Sequence, residues 1–124
     1  MNYKGVIIEE SLEDKSVLKR VKILKTGVDK VVEKHKTPWL KQWTLHTIEV
    51  KEPDVDEVAK LISKSLDKKH SSWYVDFKSQ KYHYIVFPDK IFKVGLDSSY
   101  KEARDWGISI GIPKYQLQFE HLKR

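Results

Sequence analysis

The chain has no cysteine among its 124 residues. Disulfides, thiol nucleophiles and cysteine zinc sites are therefore excluded, and the absence fits a reducing, cytoplasmic setting. Long apolar runs are missing too. The longest are a few residues, against the roughly 20 that cross a bilayer, so no membrane association is expected. The opening "MNYKGVIIEE" meets acid after three aliphatics and lacks the apolar core of a secretory signal. Catalytic signatures are absent as well: there is no G-x-S-x-G, P-loop, H-E-x-x-H or dinucleotide-binding glycine pattern. His35, His46, His70, His83 and His121 lack ligand spacing, so neither a metal nor a cofactor is expected. No linker, repeat or low-complexity stretch interrupts residues 1–124, which read as one domain large enough for its own core.

What the chain does have is basic charge, unevenly placed. The formal charge is +6, from 24 Lys and Arg against 18 Asp and Glu. Between Lys15 and Lys41 lie nine basic residues and only two acidic ones, so this segment alone exceeds the whole-chain excess. A local basic excess is what a polyanion-binding surface needs. A solvated lysine face looks the same in a sequence.

Patterning gives the elements. Residues 4–10, "KGVIIEE", form a β-branched run that predicts a strand. Ser11 with Asp14 three residues on suggests a short helical turn. Residues 20–32 alternate and then break register at Gly27, the mark of a bent or bulged strand. Residues 42–51 alternate again, with Trp43, Leu45 and Thr47 on one side and Thr44, His46, Ile48 and Val50 on the other. Residues 52–70 carry Pro53 and acids in the first turn, then Val55, Val58, Ala59, Ile62 and Leu66 at helical spacing. A second helix is expected over 97–113, with Ser99 and Glu102 as a capping box and Gly111 as its stop. Gly107 inside that helix points to a close packing contact. A short last strand is expected over 115–119.

The densest aromatic region is "SSWYVDFKSQKYHYIVFPDKIFKV", residues 71–94. It reads as a hairpin followed by a Pro-Asp turn and a third strand. Pairing Phe77 with Tyr82 would put Trp73, Val75, Phe77, Tyr82, Tyr84 and Val86 on one apolar face, either core or a stacking platform. The other face would hold Tyr74, Asp76, His83, Ile85 and Phe87. From Gln42 onward the order strand–helix–strand–strand–helix–strand is that of a split βαββαβ, ferredoxin-like α+β fold, here with an N-terminal β addition. Both helices would then cover the aromatic face and leave the second face open.

Two surfaces compete for function. The first is "KHKTPWLKQW", residues 34–43, which interleaves cations with Trp39 and Trp43. Cations that neutralise phosphates and an aromatic that stacks on a base are the two parts of single-strand recognition. Arg20, Lys22, Lys34, Lys36 and Lys41 would contact the phosphates of RNA or DNA, and Trp39 would stack. The second is the open sheet face, where Tyr74, Asp76, His83, Ile85 and Phe87 could take a small molecule, a protein or a second copy of the chain. His83 opposite Asp76 is also an acid–base candidate, though a cross-strand polar contact explains the same pair. Glu9 and Glu10, adjacent on a strand, would point to opposite faces and form no carboxylate pair.

The stretches "KGVIIEESLEDKSVLK", "KHKTPWLKQWTLHTIEV" and "WGISIGIPKYQLQF", with the aromatic region between them, make the chain resemble a family of small bacterial and archaeal single-domain proteins. The resemblance runs from Lys4 to Phe119, with Trp106 where the pattern has tyrosine. It implies a shared fold and carries over no catalytic, cofactor or binding residue. The expectation is a non-enzymatic α+β domain that meets a polyanion through residues 15–41.

Overall fold

A computed structural model describes residues 2–30, 42–69, 73–95 and 98–119. Six strands form one antiparallel sheet: β1 (Tyr3–Ile8), β2 (Lys22–Lys30), β3 (Gln42–Val50), β4 (Val75–Lys78), β5 (Tyr82–Phe87) and β6 (Lys90–Gly95). Their spatial order is β2-β3-β1-β4-β5-β6. The N-terminal strand thus lies inside the sheet, antiparallel to β3 on one side and to β4 on the other. Strands β3 and β4 consequently run parallel to each other with β1 between them. Helix α1 (Val55–Ser65) connects them. That is one split βαβ unit, and the chain's own first strand fills the gap.

Helix α1 forms where the sequence predicts it but stops sooner. Leu66 turns to extended backbone and forms a β-bridge with Leu12. Asp67 N–H donates to the Ser11 carbonyl, and Glu13 N–H to that of Ser65, both at 2.7 Å. These partners replace the helical ones that the Asp67 N–H and the Ser65 carbonyl would have made. The inner stripe Val55, Val58, Ala59, Ile62 and Leu66 packs on Tyr3, Ile7, Ile48, Val50, Val75, Phe77, Tyr84 and Val86. Each fully buried aliphatic there contributes about 1.5–3 kcal/mol. Tyr84 adds a polar tie: its hydroxyl donates to Asp56 at 2.6 Å. Burial first, and the Asp56 carboxylate second, push the Tyr84 phenol well above its usual range.

The β4–β5 register departs from expectation by two residues. Phe77 opposes Tyr84, not Tyr82. A two-residue shift keeps every side chain on its face, so Trp73, Val75, Phe77, Tyr84 and Val86 are core as expected. Tyr82 falls beyond the β4–β5 pairing, opposite Gly95 of β6, and is exposed.

The second face is not open at this half of the sheet. Helix α2 (Lys101–Ser109) and a 3₁₀ turn at Lys114–Leu117 lie across it, so the two helices cover opposite faces. Ile85, Phe87 and Val94 pack there against Ala103, Ile112, Leu117 and Phe119. The strand expected over 115–119 is absent, and with it the second half of a ferredoxin-like arrangement. Leu117 and Phe119 are fully buried without pairing to a strand. Helix α2 ends in a Schellman turn: Gly111, at φ 97°, donates to Ile108, and Ile112 donates to Gly107. A Cβ on Gly107 would sit 2.7 Å from a Leu117 methyl and 3.3 Å from Phe87, which explains a glycine inside this helix. No helix among the described residues is long and apolar enough to cross a membrane.

Gly5 carries the tightest contact. A Cβ there would lie 2.0 Å from the Asp76 carbonyl oxygen and 2.8 Å from Phe77 Cα. Backbone atoms cannot yield as a side-chain tip can. Gly5→Ala should therefore lower the free energy of unfolding by about 3 kcal/mol or more, measured by urea denaturation. A loss below about 0.5 kcal/mol would show that β1 does not approach β4 this closely.

Candidate functional site

The two predicted surfaces meet different fates. Tyr74, Asp76, His83, Ile85 and Phe87 do gather on one face, but α2 and the C-terminal turn cover them. His83 is 0% exposed and Asp76 2%. His83 Nε2 lies 2.6 Å from Asp76 Oδ2, and Nδ1 lies 3.0 Å from the Tyr100 hydroxyl. Each ring nitrogen thus has a polar partner, the Asp76 carboxyl at Nε2 and the Tyr100 hydroxyl at Nδ1. The Phe119 ring stands edge-on to His83 at 6.3 Å. Tyr74 donates its hydroxyl to the Gln116 carbonyl. This polar string links β4, β5, the start of α2 and the C-terminal turn. It gives a substrate no access, and it orders the lid of the second core.

Of the basic candidates, Arg20 closes a short 3₁₀ helix at Lys15–Arg20 and pairs with Glu57 of α1 at 3.3 Å. It is engaged on the α1 side of the molecule. Lys22 opens β2 and is exposed. Lys34, Lys36, Trp39 and Lys41 lie outside the described residues. Trp43, their neighbour in sequence, packs edge-on against Trp73 with ring centres 5.6 Å apart.

The structure assembles a basic surface that sequence order concealed. On the second face, the half made by β2, β3 and β1 is not covered by α2. There Lys22 opposes Glu49, Glu49 opposes Lys4, and Lys4 opposes Lys78. Opposed residues of antiparallel strands share a face, so these four make one row across the sheet. The next row sets Lys25 beside Thr47 and Val6. A shift in register between Ile23 and Lys25 brings Lys22 and Lys25 to the same side. The irregularity expected in this strand thus sits before Gly27, not at it. Without it, alternation would place those two lysines on opposite faces. Lys4, Lys22 and Lys25 are exposed and Lys78 is half-buried. Among the described residues none of the four is held in an ion pair. Beside them Val6, Lys25, Gly27, Asp29, Leu45 and Thr47 line a shallow cleft of about 220 Å³. Sequence reasoning missed Lys4 and Lys78 because each stands alone in its own stretch of chain.

A second polar cluster lies on the α1 side. His46 bridges Thr26 Oγ1, 2.8 Å from Nδ1, and Glu9 Oε1, 3.0 Å from Nε2. Lys15 approaches the other Glu9 oxygen at 3.7 Å. Glu10 accepts both the backbone N–H and the hydroxyl of Thr44, at 2.6 and 2.7 Å. Both acids reach the same strand because Glu9–Ser11 is a 3₁₀ turn, in which neighbours no longer alternate as they would in the expected strand. The cluster clamps the turn after β1 to the β2–β3 ribbon. The His46 hydrogen bond, with Lys15 adding to it, holds the Glu9 carboxyl below the usual carboxylate range against the opposing effect of burial.

No family model, curated protein or solved structure matches the chain.

A carboxyl whose pKa is depressed by folding contributes stability that is present above its unfolded value and lost as pH falls through the folded one. Wild-type stability should accordingly drop as pH falls below about 4.3, and Glu9→Gln should flatten that slope; identical slopes in parallel urea series would show that Glu9 is not clamped. Removing one hydrogen-bond partner of a buried polar group costs about 1–3 kcal/mol, more beside a charged group. His83→Leu should show a loss of that order by denaturation, and near-neutral stability would place the ring in contact with solvent.

Proposed function

We propose that the protein binds a polyanion, RNA or DNA, on the uncovered half of its second sheet face. The observation that carries this reading is a lysine cluster from three strands: Lys22, Lys4 and Lys78 in one row with Glu49 as the acid in line, and Lys25 on the same face in the next row. A pleated sheet holds them in a broad array, with strands about 4.8 Å apart, a spacing suited to a run of phosphates. Each phosphate neutralised releases a condensed counterion, and that gain is the main source of affinity in such contacts. The β-branched and apolar floor of Val6, Leu45 and Thr47 offers van der Waals contact to sugars and bases without hydrogen-bond readout. Sequence-tolerant binding follows from that chemistry.

Fluorescence anisotropy with labelled single- and double-stranded oligonucleotides tests the reading. Four phosphate contacts should weaken duplex binding by about two orders of magnitude between about 50 and 200 mM salt. Lys4→Glu with Lys22→Glu should abolish binding at the lower salt, while Arg20→Gln, altering a residue turned toward α1, should leave it within about threefold. Unchanged affinity in the double variant, or no binding at low salt, overturns the proposal.

A further inference from the structure

The sheet has two edges, and they differ. At β6 the lysines are occupied: Lys93 Nζ lies 4.2 Å from the Tyr82 ring centre, and Lys90 lies over Phe92 and Trp106. At β2 every residue from Lys22 to Lys30 is exposed, and Ile23, Leu24 and Val28 are among the exposed large hydrophobics. Nine residues at about 3.4 Å each make an edge about 30 Å long. Its outward backbone groups, half of the strand's donors and acceptors, have no strand partner among the described residues. Lysines and a bulge on an edge normally discourage pairing with another chain. Here one register turns the charges to use.

We propose that β2 pairs antiparallel with β2 of a second copy, about a two-fold axis through Gly27, to give one continuous twelve-stranded sheet. In this arrangement Gly27 faces the partner's Gly27, Thr26 faces the partner's Val28, and Lys25 faces the partner's Asp29. The axis repeats each pair, so two Lys–Asp contacts form. Lys25 and Asp29 line the same cleft and thus share a face. Thr26 points to the opposite face, toward His46, as the alternation requires of Val28 as well. Faces therefore match across the dyad, as antiparallel pairing demands. A register centred one residue earlier would set Lys25 against glycine and leave Asp29 without its cation. The glycine at the dyad has open space where a Cβ would project, so no side chain crowds the two Lys–Asp contacts that flank it on that face. An isologous contact of this kind closes on itself and stops at two copies. The inference is independent of the polyanion reading, although such a dimer would place the two lysine rows on one surface.

Sedimentation velocity across a concentration series tests it, with charge exchange as the discriminating variant. Wild type should be dimeric. Lys25→Asp and Asp29→Lys, singly, should each weaken the dimer about tenfold, because repulsion replaces attraction in both contacts. The double exchange K25D/D29K restores opposite charges across the dyad and should recover the dimer. Amide exchange at Thr26–Val28 in the unmodified chain, slowed as concentration rises, reads the same contact with no substitution. A monomer at about 1 mM chain overturns the proposal. So does a dimer indifferent to the single reversals, or one whose β2 amides exchange at a rate independent of concentration.

Discussion

The fold depends on one backbone contact: β1 lying against β4 at Gly5, close enough that no side chain fits between them. Strand β1 is hydrogen-bonded on both edges, so it joins the β2–β3 ribbon to the β4–β5–β6 meander. Without it β3 and β4 would have no common neighbour. The contact is also demanding in chain terms, because β1 pairs with strands some 40 and 70 residues away. Closing loops of that length costs entropy before any pairing repays it. Much of the core then depends on β1 being in place, since Tyr3 and Ile7 pack beneath α1 with residues from β3, β4 and β5.

From that central strand the two halves of the molecule diverge in character. Around β5 both faces are packed. Helix α1 covers one, and α2 with the C-terminal turn covers the other. Burial on both faces explains why β5, "YHYIVF", is almost continuously buried. Asp76 and His83 are tolerated inside because each answers the other at 2.6 Å and Tyr100 completes the ring's hydrogen bonding. On the β2–β3 side the sheet extends beyond α2, and its second face carries lysines in place of hydrophobic cover. A buried polar string at one end and a charged surface at the other are two solutions to the same constraint. A sheet face must be packed or wetted.

Much of the local structure was legible in the sequence. A β-branched run identified β1, alternation identified β2, β3 and the β4–β5 hairpin, and the helical stripe from Val55 to Leu66 identified α1 and its buried side. The Pro88-Asp89 turn and the Gly111 stop were readable because their chemistry is local. The faces of β4 and β5 survived even a two-residue error in register, since side-chain direction depends only on parity. Local pattern failed where partners lay far along the chain. Leu66 left the helix to bridge Leu12, and residues 115–119 joined a core instead of a sheet. Glu9 and Glu10 lay in a turn, not in an extended strand, and both reached β3.

Composition and periodicity determined that this is an α+β chain with one amphipathic helix, an aromatic hairpin and a local excess of base. They could not say which face stays open, because alternation gives a residue's side of its strand but not what covers that side. Only the tertiary structure decided that α2 and α1 take opposite faces, closing over Tyr74, Asp76 and His83. Only it aligned Lys22, Lys4 and Lys78 in one row from three strands and, through a register shift, turned Lys25 to the same face. Long-range pairing creates that row, and no window along the sequence contains it.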